Sequence, residues 1–276
     1  MPRLPRAKKS LGQNFLVDRN AADRYVRSLA PGEGARVLEI GPGRGAITKM
    51  LVPRLAEDAR LVLIEKDDSL ATALQRDYAQ DARIDVLRGD VMLIDLGELA
   101  AGAPWLVLGN LPFNLAGRIT MRLLELRTPE GSPFAERMVL GYQREVARRI
   151  AARAGDSAYG HLSVLVAALA ETRLLFELPP EVYRPRPKVW TGVVGIRLRE
   201  QPMVPLEQWE SFRRLVRAAF TQRRKTIANS LRSSREGLRI EDPVGLLERA
   251  GIDPRTRAQR LDVSDFLRLF ESFRSL

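Results

Sequence analysis

The strongest constraint on this chain is a punctuation repeated through its first half. Four short apolar runs, Arg36-Val37-Leu38-Glu39-Ile40, Leu61-Val62-Leu63-Ile64, Ile84-Asp85-Val86-Leu87 and Trp105-Leu106-Val107-Leu108, each give way to a polar or glycine-containing segment. Runs of this length read as buried strands. The segments Ala46 to Leu55 and Ser69 to Tyr78 lie between them and place apolar residues at helical spacing, with Ile47, Met50, Leu51 and Leu55 on one face of the first. Alternating strands and helices predict an α/β fold with a mostly parallel sheet, and such sheets bind ligands at the carboxyl ends of their strands. Glu39, Glu65, Asp90 and Asn110 are therefore expected along one edge.

Further elements follow the same logic. Asn20 to Leu29 has the spacing of a helix, Met138 to Tyr142 that of a fifth strand, and Glu145 to Arg153 that of a basic helix. Two later strands, Thr172–Leu178 and Val189–Leu198, flank a proline-dense loop, Pro179 to Pro187. Past Arg199 the pattern turns purely helical, with Trp209, Phe212, Leu215, Val216, Ala219 and Phe220 in one stripe. The sequence thus predicts a Rossmann-like domain over residues 1–200, with a basic N-terminal arm, and a small all-helical domain over 201–276.

Charge sharpens that division. The chain has 276 residues and a formal net charge of +11. Residues 1–30 carry seven Lys/Arg against two Asp/Glu, and residues 201–276 carry fifteen against ten, so each end holds +5 and the middle is nearly neutral. A neutral body between basic flanks fits a catalytic core with nucleic-acid-facing ends. Lys8, Lys9, Arg223, Arg224 and Lys225 are the expected RNA contacts.

What the chain lacks narrows the chemistry. There is no cysteine and a single histidine, His161. Thiolate nucleophiles, thiolate zinc sites and iron–sulfur clusters are excluded, and one histidine argues against a zinc site or a Ser-His-Asp triad. The expected reaction needs neither metal nor covalent intermediate. No apolar run is long enough to span a membrane, and the basic start of the chain lacks the apolar core of a secretory signal, so a cytoplasmic location is expected.

Strand 36–40 runs into Gly41-Pro42-Gly43-Arg44-Gly45, a turn that lets a ligand approach the backbone closely. Gly41-x-Gly43-x-x-Ala46 also satisfies a dinucleotide fingerprint, and Glu65 lies where an acidic residue meets a ribose hydroxyl. NAD and S-adenosylmethionine (SAM) share an adenosine half, so both remain readings of these residues. Glu39 immediately before the glycines disfavours a pyrophosphate and suits the ammonium and sulfonium of SAM. Asp90, after the third strand, is placed to accept from an adenine amino group.

Asn110-Leu111-Pro112-Phe113 closes the fourth strand. The exocyclic nitrogen of adenine is a poor nucleophile because its lone pair is delocalised into the ring. Acceptors aimed at its two N–H groups, the Asn110 amide oxygen and the Leu111 carbonyl, favour the pyramidal geometry in which it accepts a methyl group. Pro112 fixes the turn, and Phe113 can stack on the base. No general base is needed, because the methylated amine is acidic enough to lose its proton to water.

These segments resemble those of the KsgA/Dim1-type ribosomal RNA small-subunit adenine N6,N6-dimethyltransferases. The resemblance rests on Gly12-Gln13-Asn14-Phe15-Leu16, Glu39-x-Gly41-x-Gly43-x-Gly45, Glu65, Asp90, Asn110 to Phe113, Tyr183-x-Pro185-x-Pro187-Lys188-Val189, and Phe220-x-x-Arg223-Arg224-Lys225-Thr226. It implies a SAM site formed by Gln13, Asn14, Leu16, Glu39, Gly41, Gly43, Gly45, Glu65, Lys66, Asp90, Val91 and Asn110. It also implies catalysis by Asn110, Leu111, Pro112 and Phe113, with Phe113 and Tyr183 stacking on the target base. The implied substrate is a pair of adjacent adenosines in the 3′-terminal hairpin of small-subunit rRNA, met in the assembling pre-30S particle by a monomeric enzyme.

Phe113 stands where this family usually has Tyr, Tyr183 where Phe is usual, and Trp190-Thr191 where Asp-Ser is common. Alternative readings are a macrolide-resistance type enzyme acting on large-subunit rRNA, a non-catalytic RNA-binding assembly factor, and an NAD-dependent dehydrogenase.

Overall fold

The computed structural model describes residues 8, 12–101, 104–234, 238 and 240–275. The chain divides into two compact units, one of Met1–Ala147 with Thr172–Glu200 and the other of Arg148–Glu171 with Gln201–Leu276, taking the described residues within those bounds.

In chain order the described strands are β1 Phe15–Leu16, β2 Arg36–Ile40, β3 Arg60–Glu65, β4 Ile84–Arg88, β5 Trp105–Asn110, β6 Ala135–Gln143, β7 Ala170–Leu178, β8 Tyr183–Arg184 and β9 Thr191–Leu198. Seven of them form one sheet in the order β4-β3-β2-β5-β6-β9-β7, while β1 and β8 form a separate two-stranded pair. Neighbours from β4 through β6 are parallel, and β9 runs antiparallel to β6. The mostly parallel α/β architecture is the one the strand and helix alternation predicts.

The chain steps outward from β2 to β3 to β4, then returns so that β5 lies on the other side of β2. Loops leaving β2 and β5 therefore diverge, and the carboxyl ends of these strands border a crevice at the topological switch point. Val37, Leu61, Leu63 and Leu108 from these strands are buried with Tyr25, Val26 and Leu29 from the helix Arg19–Leu29. Asp18 caps that helix by accepting from the Ala21 amide at 2.7 Å.

Two elements differ from the sequence expectation. The helix expected over 46–55 runs only from Thr48 to Leu51 and tightens into a single 3-10 turn at Val52–Arg54, because Pro53 brings no N–H to continue it. Residues 148–171, read as part of the first domain, group with the second unit. The helix His161–Leu169 in this segment buries Ser163, Val164, Leu165, Val166, Ala168 and Leu169, and such a helix, apolar on most sides, needs cover on most sides. It packs with the helices Trp209–Ala219 and Val263–Arg274. Phe212 meets Phe270 edge to face with centroids 5.4 Å apart, and Phe220 stacks on Phe266 at 5.7 Å, forming the aromatic centre of this unit.

Candidate functional site

A single cavity at the switch point gathers most of the residues singled out in the sequence. Gln13, Asn14, Leu16, Glu39, Gly41, Gly43, Glu65, Lys66, Asp90, Val91, Asn110, Leu111, Pro112 and Phe113 all line it. Gly45 does not. It adopts φ +71°, donates to the Pro42 carbonyl at 2.9 Å and opens the following helix beside Leu74 and Thr48.

The glycine turn is shaped by what it must clear. Gly43 sits at φ +59°, and a Cβ there would come within 3.0 Å of the Phe15 ring. Only glycine combines this backbone conformation with that approach. The turn is also tied from behind, because Glu65, at the end of β3, accepts from the Gly43 amide through Oε2 at 2.9 Å and from the Asp67 amide through Oε1 at 2.8 Å. Burial raises the pKa of this carboxyl. Glu65 therefore shapes the loop as well as facing the cavity.

Glu39 is buried within the sheet end, where it accepts from the Thr48 hydroxyl at 2.8 Å. Burial pushes its carboxyl up to about 7. A carboxylate so placed gains strongly from a cationic ligand and repels a pyrophosphate. That observation separates the two readings of the glycine turn, because SAM brings a positive charge to Glu39 whereas a dinucleotide brings phosphates.

Asp90 accepts from the Met92 amide at 2.8 Å and from Lys66 Nζ at 2.9 Å. Burial would raise its pKa, but Lys66 and the Met92 amide outweigh that and hold the carboxyl below its usual range. It is ionised at neutral pH and acts as an acceptor, with Lys66 as its companion at the rim.

The N-terminal arm is fastened by a residue that the sequence did not mark. Asp67 caps the helix Asp68–Asp77, accepting from the Ser69 amide at 3.0 Å and the Ser69 hydroxyl at 2.6 Å. It also accepts from Gln13 Nε2 at 3.1 Å and pairs with Lys8 Nζ at 3.0 Å. Burial would raise its pKa, yet the Ser69, Lys8 and Gln13 contacts hold this carboxyl at about 2. Gln13 Oε1 in turn accepts from the Lys8 amide at 2.7 Å. Lys8, expected on RNA, pairs with Asp67 in this structure. An acidic residue at a predicted helix N-terminus was the available signal for Asp67, but the partners from the arm were not legible. Asn14 donates to the Gly12 carbonyl at 3.4 Å, and Leu16 pairs in register with Tyr183 across β1 and β8.

Asn110 ends β5 at the crevice. Its Oδ1 accepts from the Tyr183 hydroxyl at 3.3 Å and the Tyr25 hydroxyl at 3.5 Å. Both rings are fully buried. Burial raises both phenol pKa values, that of Tyr183 to about 12, so both remain donors at neutral pH. This corrects the stacking role expected of Tyr183: a fully buried ring has no open face for a base, and the side chain serves Asn110 instead. Tyr25, from the helix Arg19–Leu29, belongs to the same cluster. Gly141 makes it possible, since a Cβ there would fall 2.1 Å from the Tyr25 hydroxyl and 2.7 Å from Asn110 Oδ1. Leu111, donating its amide to the Gly141 carbonyl at 3.1 Å, is buried, while Pro112 and Phe113 are half-buried at the cavity.

In the second unit Arg223, Arg224 and Lys225 are all exposed. Arg223 donates to the carbonyls of Ser157 at 2.8 Å and Tyr159 at 3.1 Å, so part of its role is to brace this unit. Lys9 lies outside the described residues. Among the described residues there is no cluster suited to a metal ion, and no helix is long and apolar enough to cross a membrane.

A parallel sheet with a glycine turn at its switch point, a buried carboxylate suited to a cation and further carboxylates on successive strand ends define a SAM-dependent methyltransferase of the Rossmann-like type. Comparison with known proteins places it more closely. The chain belongs to the ribosomal RNA adenine dimethylase family, which it matches over residues 5–275.

Among curated relatives, it is 39% identical over 263 residues to ribosomal RNA small subunit methyltransferase A of Xanthomonas campestris pv. campestris (strain B100), covering 95% of each chain. It is 40% identical over 262 residues to the protein of the same name from Rhodopseudomonas palustris (strain BisB18), covering 95% of this chain and 88% of that one. Two solved structures are similar in fold. One is a dimethyladenosine transferase from Plasmodium falciparum, with TM-score 0.78, 21% identity and coverage of 95% of this chain and 98% of that one. The other is the 23S rRNA methyltransferase ErmE, with TM-score 0.69, 25% identity and coverage of 95% and 100%.

Proposed function

We propose that this chain transfers methyl groups from SAM to N6 of two adjacent adenosines in the 3′-terminal hairpin of small-subunit ribosomal RNA. It acts as a monomer, in the cytoplasm, on the assembling pre-30S particle. The observation that carries this reading is the placement of Asn110, followed by Leu111-Pro112-Phe113, in the same cavity as Glu39, Glu65 and Asp90.

When bound, the cofactor supplies an electrophilic methyl group on a sulfonium centre. Glu39 meets the positive charge, Glu65 the ribose hydroxyls and Asp90 the adenine amino group, while Gln13, Asn14, Leu16, Lys66 and Val91 complete the walls. The Asn110 amide oxygen and the Leu111 carbonyl accept from the two N–H groups of the target amine and draw its lone pair out of ring conjugation. The two tyrosine contacts on Asn110 Oδ1 are long for O–H donors. They orient the amide in the free protein, and because the oxygen has two lone pairs, a shorter bond from the target amine would take the place of the weaker of them. Phe113 stacks on the base and holds the nitrogen in line, which converts the transfer into a positioned, effectively intramolecular event. Water takes the proton from the methylated nitrogen.

The large-subunit alternative is favoured by the fold likeness to ErmE alone. The Asn-Leu-Pro-Phe sequence and the names of the curated relatives favour the small subunit. Supplying labelled SAM with small and large subunits that lack these modifications distinguishes the two. Label at two adjacent adenosines of the small subunit is expected; label confined to the large subunit, or none on either, overturns the reading.

A further inference from the structure

The chain has three tryptophans, and two are buried: Trp105 at 0% exposure and Trp209 at 5%. Trp190 is 41% exposed, beside Val189 at 40%. An exposed indole on a well-built scaffold offers a stacking face.

The scaffold under Trp190 is rigid. Its carbonyl accepts from the Arg144 amide at 2.8 Å, and the next residue, Thr191, is in register with Gln143. Gly192 follows, where a Cβ would fall 2.5 Å from the Ala147 side chain, so β9 and the helix Arg144–Ile150 leave no slack between them. A ring on such a support loses little freedom on binding. The Arg144 guanidinium lies 5.8 Å from the ring centroid, within cation–π range.

The sheet register fixes the distance to the reaction centre. Asn110 is opposite Gly141, and Gly141 is opposite Val193. Trp190 lies three residues from Val193 toward the carboxyl edge. Two strand spacings and three residue rises put it roughly 14 Å from Asn110. That is too far for the target adenine and within reach of a nucleotide beside it. The stretch leading to it is cationic as well: Arg184, Arg186 and Lys188 precede it in the chain and Arg144 lies by its ring, Arg186 pairing with Glu181 and Arg144 lying 4.0 Å from Glu177.

We propose that the Trp190 indole, backed by Arg144, is a stacking platform for an unpaired RNA base flanking the target adenosine. A base offers a π face of any sequence, and the surrounding cations meet its phosphates. The proposal rests on the RNA methyltransferase reading. It gives a function to a residue at which this chain departs from the pattern it resembles.

The test uses the full chain, a naked 3′-terminal small-subunit rRNA hairpin, and the unmodified small-subunit particle. Because Trp190 is the exposed tryptophan, hairpin binding is expected to shield the protein's fluorescence from acrylamide. Trp190→Ala is expected to raise KM for the hairpin by about five- to a hundredfold, more than it lowers kcat, with SAM affinity unchanged. Trp190→Phe is expected to recover most of that loss. Unchanged hairpin KM in Trp190→Ala, or acrylamide quenching that the hairpin does not reduce, overturns the platform. A defect seen with the particle and absent with the hairpin also overturns it, in favour of a ribosomal protein contact. Failure of the wild-type enzyme to methylate small-subunit RNA would instead defeat the functional reading, which the fluorescence measurement does not depend on.

Discussion

Tyr183 donates its hydroxyl to the amide oxygen of Asn110 at 3.3 Å, joining the proline-dense loop to the end of β5. With Tyr25 on the same oxygen, two hydroxyls hold the amide in one favoured orientation. The orientation of this group, which sequence motifs specify only by residue type, is set here by two buried rings from distant segments. Tyr183→Phe is expected to lower single-turnover methyl transfer by about two- to tenfold, the worth of one neutral hydrogen bond, with SAM and RNA affinities within a few-fold of wild type. Tyr25→Phe is expected to behave alike. The double variant should cost less than the product of the two, because both act on one oxygen. A Tyr183→Phe enzyme with wild-type single-turnover rate would show that the phenol is only packing.

Asn110→Ala is expected to fold, to bind SAM and RNA within a few-fold of wild type, and to lose roughly a hundredfold or more in single-turnover transfer. Phe113→Ala should lose activity through the base stack, worth about 1–3 kcal/mol, while Phe113→Tyr remains active. Rapid-quench kinetics with preformed complexes separates these effects from binding. Wild-type rates in Asn110→Ala would reduce the segment to a turn.

Glu39 ties cofactor affinity to pH. Burial raises its carboxyl to about 7, so it is largely neutral at pH 6 and largely ionised at pH 8. A cationic ligand selects the ionised form. SAM affinity should therefore rise as pH increases through about 7, with a proton released on binding, and Glu39→Gln should flatten the rise. Calorimetry in buffers of different ionisation enthalpy counts that proton. In the free protein the linkage runs the other way. Between about 4.5 and 7 the unfolded chain ionises first, so Glu39's contribution to stability falls as pH climbs through that window.

Glu65→Ala removes the acceptor of the Gly43 and Asp67 amides together with the expected ribose contact. SAM affinity is expected to fall about ten- to a hundredfold, accompanied by a lower Tm from the freed loop. Calorimetry and thermal melting read the two effects separately, and wild-type affinity for SAM would remove Glu65 from the site.

The basic cluster of the second unit should split under mutation. Arg224→Ala and Lys225→Ala are each expected to flatten the log–log salt slope of RNA binding by about 0.7–0.9 for every phosphate left without its cation. Arg223→Ala should lower Tm as well, because it gives up the Ser157 and Tyr159 carbonyls. Equal slopes for variant and wild-type protein would return the cluster to a solvated face.

The strands β2, β3, β4 and β5 were legible because each is a short apolar run stopped by a polar or glycine-containing segment, and their polar ends marked the cavity for the same reason. Glu39, Glu65, Asp90 and Asn110 could be found by position alone. The helix His161–Leu169 was not, because a segment apolar on most sides shows no period. Nor was the true setting of Tyr183. Its ring is buried and its strand pairs with Leu16, a contact between segments far apart in sequence that no local pattern encodes. The Lys8 ion pair shows the same limit, since nothing in a basic tail points to a buried partner such as Asp67.

The pairing of β1 with β8 bears on the order in which this protein is made. Phe15 packs over Gly43, but the strand that holds Phe15 finds its hydrogen-bonding partner only at Tyr183 and Arg184. Chains emerge from the ribosome N-terminus first, so the glycine turn, the acidic strand ends, Asn110 and the Asp67 anchor of the arm are all synthesised before the strand that pairs with β1. The nascent chain carries an unfinished donor site through most of its own translation, and the site acquires its last wall only when residue 184 has left the exit tunnel.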